Sequence, residues 1–238
     1  MICYVIHLGI EVVGRTAEVF MVVLLLLGAA GNFLFLYQEM LIFTRYVPFL
    51  NTDGSLSLPR LFPTFSSSFG EMIAFTMLLP YLNRPQLVKR AWLAAVISSG
   101  VILSWTVLLN TSVLGIDVME RSVFPTLTAV GKVNLFDFIE RLDAIVVFTL
   151  LITVFFKASI YLYAAVIGIA DLFKLRTYHQ ILFPTGTIVI FLSLTMASSF
   201  SEQGEEGFLN HYLSIALLIV VPMIMLLVSI IRNHFARN

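Results

Sequence analysis

Lys157 is the only charged residue between Ala144 and Ala170, a run that reads AIVVFTLLITVFFKASIYLYAAVIGIA. As a helix rising about 1.5 Å per residue, the run places Lys157 on the order of 20 Å from either end. A lysine side chain is too short to snorkel so far. An ammonium at bilayer depth costs at least about 2.5 kcal/mol unless it is paired or faces a polar cavity. The expectation is a buried charge with a polar host inside the bundle. That host could be a ligand site, with the ammonium as a fixed cation, or a carboxylate or row of carbonyls that merely holds helices together. Spacings of three and four set Phe156, Ser159 and Tyr163 on one side of the same helix. A ring, a hydroxyl and a phenol on one stripe suit a small polar ligand, and an aromatic stripe also suits plain packing.

The second candidate is a carboxylate. Residues 63–83 read PTFSSSFGEMIAFTMLLPYLN, with three serines at the start, Gly70 and Glu71 a third of the way in, and Pro80 near the end. Glycine beside a polar residue weakens a helix locally. Irregular backbone at membrane depth is tolerated only where it lines protein or a watery cavity. Transporters use such breaks to bind small ions and carboxylates. The competing reading keeps Glu71 near the outer interface, hydrated and without a role. Glu71 is also a candidate partner for Lys157.

Other chemistry is not expected. There is no phosphate loop, nucleophile elbow, HExxH motif or pair of intramembrane aspartates, and histidines 7, 179, 211 and 234 lie scattered near span ends. The lone Cys3 allows neither an internal disulfide nor a thiolate metal site. The expectation is a protein that is not an enzyme, with no metal and no cofactor. In FIERLD, residues 138–143, the acids Glu140 and Asp143 read as a solvated helix start.

The elements that must position these residues follow from hydropathy. Of 238 residues, 59% are hydrophobic and 12% charged, against about 25% charge in a soluble domain. The fold class is therefore an all-α integral membrane protein. Six spans near 18–37, 66–83, 91–109, 138–170, 181–200 and 209–231 have the length, about 20 residues, that crosses a bilayer core. Residues 1–10 form a half-length apolar stub followed by Glu11, Arg15 and Glu18. Gly28 and Gly31 in GAAG predict close helix packing, and Pro184 and Pro222 are expected to begin and kink the last two spans. One set of loops carries eight basic residues: Arg15, Arg84, Lys89, Arg90, Lys174, Arg176, Arg232 and Arg237. The opposite set holds Arg45, Arg60, Arg121 and Lys132, with Glu202, Glu205 and Glu206 in its last loop. The bias toward basic residues predicts that the first set, and the C-terminus, are cytoplasmic. Zero net charge gives no preference for nucleic acid. Two long outer connections are expected near 38–65 and 110–137.

Three stretches together resemble the spore germination permease family, the B subunits of GerA-type nutrient receptors in endospore-forming bacteria. They are LGIEVVGRTAEVF at 8–20, SFGEMIAFTMLLPYLNRP at 68–85 and FIERLDAIVVFTLLITVFFKASIYLYAAVIGIADLF at 138–173. The resemblance runs over essentially the whole chain. It implies an amino acid–polyamine–organocation transporter fold of two inverted five-helix repeats. On that plan the chain is N-terminally truncated and forms a single transmembrane domain, 1–238. It runs from a partial fourth helix to the tenth, with an incomplete first repeat at 1–37, an outer loop at 38–65 and a second repeat at 66–233. The span at 66–83 would be the broken sixth helix and 138–170 the eighth.

The family's pocket draws on the first, third, sixth and eighth helices. Carried over, it implies ligand contacts from Phe69, Gly70, Glu71 and Met72, and from Phe156, Ser159 and Tyr163. The resemblance further implies a multi-pass subunit of the spore inner membrane or cell membrane, surrounded by lipid. It would bind a small nutrient such as an amino acid, act with A and C receptor subunits, and trigger germination. The absent first repeat would have supplied half of the pocket. Two alternatives remain open at the level of sequence: a secondary transporter for amino acids coupled to protons, and a structural or truncated subunit that binds nothing.

Overall fold

The computed structural model describes residues 1–39, 69–82, 84–131, 142–196 and 220–235. All regular structure among them is helical. The chain opens with α1 (Ile2–His7), turns at Gly9, whose φ of 107° suits glycine, and continues as α2 (Ile10–Glu39). A 3-10 helix, Gly70–Tyr81, follows. Next come α3 (Pro85–Leu114), α4 (Ile116–Arg121) and α5 (Pro125–Gly131). The last three are α6 (Leu142–Leu172), α7 (His179–Met196) and α8 (Val221–Phe235).

Among the described residues, Ile10–Phe33, Pro85–Leu114 and Ala144–Leu172 are long and apolar enough to cross a membrane. Two shorter apolar helices are His179–Thr195 and Val221–Arg232. Large apolar side chains such as Leu26, Leu93, Val101, Phe148, Phe191 and Met225 lie exposed along these helices. In water that surface would be untenable; in lipid it is expected.

Several boundaries differ from the hydropathy reading for local reasons. Helix α2 begins eight residues before the apolar span, so Glu11, Arg15 and Glu18 are helical rather than loop residues. The Arg15 guanidinium donates to Glu11 at 2.7 Å one turn away, an arrangement that supports a helix without hydrophobicity. Likewise α3 extends to both sides of 91–109, Pro85 fits its first turn, and the expected outer connection carries α4 and α5. Pro222 is the second residue of α8, whereas Pro184 lies inside α7. A side chain added at Gly28 or Gly31 would meet nothing within 4 Å among the described residues. Among the described residues, then, no helix makes the predicted close approach at GAAG.

The chain divides into two compact units: Met1–Gly54 with Asn83–Ile160, and Ser55–Leu82 with Tyr161–Asn238. The first unit has a small apolar core of Leu109, Leu114, Ala129 and Val130, with Val113, Met119, Ile145 and Val146 against it. Asn110, 5% exposed, donates to the Thr126 hydroxyl at 3.0 Å beside that core. The Trp105 indole N–H donates to Asn32 at 2.6 Å, joining α3 to α2. Among the described residues, the buried apolar side chains of the second unit are Ala74 of the 3-10 helix, Tyr163, Val166, Ile167 and Ala170 of α6, and Leu182 of α7.

Candidate functional site

Residues 70–81 hold the most unusual backbone among the described residues. The sequence reading makes 66–83 a broken helix weakened at Gly70 and Glu71, and the departure from α geometry runs through twelve residues of it, from the Phe69 N-cap to Leu82, which is extended. Runs of 3-10 helix beyond three or four residues are uncommon and mark hinges or strain. Pro80 contributes to the choice, since an α-helix would drive its ring into the carbonyl of Thr76. With three residues per turn, Glu71, Ala74 and Met77 line one face. That face meets the second half of α6. A methyl group on Gly168 would sit 3.6 Å from the Met77 Cε, and the Tyr161 hydroxyl donates a hydrogen bond to the Glu71 carboxylate.

Tyr161 precedes the end of α6 at Leu172 by 11 residues, or about 17 Å of rise, against a half-thickness of roughly 15 Å for a bilayer core. Were Leu172 at one edge of the hydrocarbon, Glu71 would lie near mid-depth, where a carboxylate is rare and costly.

A second polar group lies toward the other end of the 3-10 helix. The Tyr163 and Tyr178 rings meet edge-to-face with centroids 5.8 Å apart, and the Tyr81 hydroxyl interacts electrostatically with both phenols. Tyr163 is 2% exposed. Tyr178, between α6 and α7, has its phenol pushed above the ordinary range, first by burial and then by Tyr81.

Phe156 and Ser159 belong to the first unit. Ser159 is fully buried and its hydroxyl donates to the Phe155 carbonyl at 2.7 Å, leaving its oxygen able to accept. Phe156 packs edge-on against Phe20 of α2, centroids 5.7 Å apart, and against Phe155. Its ring is engaged in helix packing. Phe69, Gly70, Glu71 and Met72 are all partly buried at the start of the 3-10 helix, in the second unit with Tyr163.

Lys157 corrects the strongest sequence expectation. It is exposed at the surface of this chain, two residues from fully buried Ser159. Helical geometry explains the contrast: positions two apart point about 200° away from each other. With Ser159 turned inward, Lys157 is turned outward. Its enclosure was inferred from hydropathy alone, which carries no information on direction.

The sequence reading missed Tyr161, Tyr178 and Tyr81. The pattern Tyr161-Leu162-Tyr163 held a usable signal, since two tyrosines two apart cannot share a helix face. One of them had to find a partner off the predicted stripe. Nothing comparable marked Tyr178, whose position depends on the turn after α6. Among the described residues no group of histidine, cysteine, aspartate or glutamate could hold a metal ion.

The sequence model of a family described as "Spore germination protein" matches residues 1–201. The chain belongs to the spore germination protein family. It is 35% identical over 230 residues to "Spore germination protein KB" of Bacillus subtilis (strain 168). That alignment covers 95% of this chain and 62% of the relative, so the chain spans less than two thirds of the relative's length. No solved structure matches the chain.

Proposed function

We propose that this chain is the B-type membrane subunit of a spore nutrient receptor, and that it binds a small nutrient, an amino acid in the first instance, to trigger germination. Family membership supports the germination role. The observation that carries the binding reading is the Glu71 carboxylate, hydrogen-bonded by Tyr161 at the start of a 3-10 helix. A carboxylate there is suited to an ammonium group, and a hinge-like helix is suited to changing shape when one arrives.

Binding would shift the populations of two conformations of the 3-10 helix by the ligand's difference in affinity for them. The shift would pass to A and C subunits in the spore inner membrane, with the C-terminus of this chain in the cytoplasm. The exposure of Lys157 removes it from this argument as an enclosed cation. Phe69, Gly70, Met72, Ser159 and Tyr163 remain candidate contacts through the family resemblance. Phe156 is the weakest of the set, because its ring is already packed on Phe20.

The test is thermal protection of the protein in lipid nanodiscs by a panel of amino acids. At least one should raise the unfolding temperature, and Ser159→Leu and Tyr163→Leu should each remove that gain without preventing folding. Unchanged protection in both variants would take these positions out of the site. Protection by none of the panel, with labelled amino acid also failing to bind, would reject the binding reading.

A further inference from the structure

Tyr178 lies outside the predicted site, yet both its backbone and its ring are held in place. Helix α6 ends in a Schellman turn: Leu175 N–H bonds the Ala170 carbonyl at 2.9 Å and Lys174 N–H bonds that of Asp171 at 3.2 Å. Lys174 takes the left-handed conformation, φ 51°, that this turn requires. The chain therefore reverses at once, and Tyr178 returns to Tyr163, fifteen residues earlier. The Tyr178 carbonyl accepts from Ile181 N–H at 3.2 Å, which anchors its backbone at the start of α7. The ring stacks on His179 with centroids 4.2 Å apart, and it meets the Tyr163 ring edge-to-face at 5.8 Å.

We propose that Tyr178 is a positioning residue for Tyr163: its ring, held by the α6–α7 turn, sets the orientation of the Tyr163 phenol. The proposal rests on the reading that Tyr163 faces the nutrient, and it adds a residue from a different element to that site. Tyr163 is free to rotate only about two side-chain bonds, and burial at 2% exposure leaves few orientations. An edge-to-face neighbour selects among them, an interaction of about 0.5–1.5 kcal/mol in general. Because the neighbour belongs to the turn after α6, any nutrient that moves the Tyr163 ring also moves residues 173–179. Occupancy of the site is thereby transmitted to the end of the bundle.

The experiment places 3-fluorotyrosine at position 163 of the protein in nanodiscs and follows its fluorine resonance. In the unaltered protein a cross-relaxation peak to the Tyr178 ring is expected; its absence would overturn the proposal without any variant. Tyr178→Phe, which keeps the ring, should leave the resonance in place. Tyr178→Leu should shift and broaden it before any nutrient is added. An unmoved resonance in a folded Tyr178→Leu protein would also overturn the proposal. In spores, Tyr178→Leu should raise the half-maximal nutrient concentration up to about tenfold, with a smaller change in maximal rate. If Tyr178→Leu moves the resonance and no amino acid does so in any variant, the positioning role stands and the nutrient reading fails.

Discussion

Two polar clusters among the described residues differ in kind. Beside the Leu109–Leu114–Ala129–Val130 core, Asn110 and Thr126 bond to each other, both neutral at every physiological pH, on helices of ordinary geometry. In the second unit, polar atoms belong to a carboxylate and to tyrosines, and they are carried by a twelve-residue 3-10 helix and a left-handed turn. The first arrangement gains from staying as it is, because separating the pair would leave a buried amide unsatisfied. The second is carried by a long 3-10 run, a kind of backbone that often marks a hinge or strain. One region fastens helices; the other is where the proposed function places the response.

Four changes would break or sharpen that contrast. The largest effect is expected at Lys157, which belongs to neither group. Lys157→Met should ease membrane insertion by about 2.5–3.5 kcal/mol, read from the inserted fraction in a translocon assay. Unaltered insertion would mean that the ammonium already escapes the hydrocarbon. In the fastening region, Asn110→Leu should lower resistance to detergent unfolding by about 1–3 kcal/mol, with the nutrient response of the folded fraction intact. A lost response there would dissolve the distinction between the two regions.

The smaller effects fall in the second unit. Lys174→Val should cost about 1–2 kcal/mol, since a β-branched residue resists the left-handed conformation, while Lys174→Gly should be neutral or stabilising in the same unfolding assay. The smallest effect concerns pH. The Tyr178 phenol is raised in the folded protein, so its contribution to stability is complete below the unfolded value of about 10 and declines as pH rises from there. Tyr178→Phe should flatten that alkaline decline in a pH series of unfolding temperatures.

Hydropathy made the membrane-spanning helices legible because length and apolar composition are properties of single segments. Thus α3, α6 and α7 lie where the sequence places them, with ends shifted by Pro85 and by the turn after Leu172. Two things escaped. Facing was misjudged for Lys157, because an unbroken apolar run has no polar side from which to infer an inward one. The Glu71–Tyr161 and Tyr163–Tyr178 pairs escaped because they join residues 90 and 15 positions apart. Their meeting depends on 3-10 winding and on a Schellman turn formed around a lysine where glycine is usual. Glu71 itself was legible as a rare charge beside glycine in an apolar span; only its partner needed coordinates. The ten-helix repeat plan, and residues 40–68, 132–141 and 197–219 on which its outer connections and part of its last spans fall, lie outside the described residues.

The central claim is that nutrient acts on the Glu71–Tyr178 region and leaves the Asn110–Thr126 region alone. Hydrogen–deuterium exchange of the protein in nanodiscs, with and without a protecting amino acid, measures both regions in one experiment. Slower exchange in peptides covering 70–82 and 161–179, beside unchanged exchange at 109–130, is the predicted result. An equal change in both regions, or a change confined to 109–130, would contradict it.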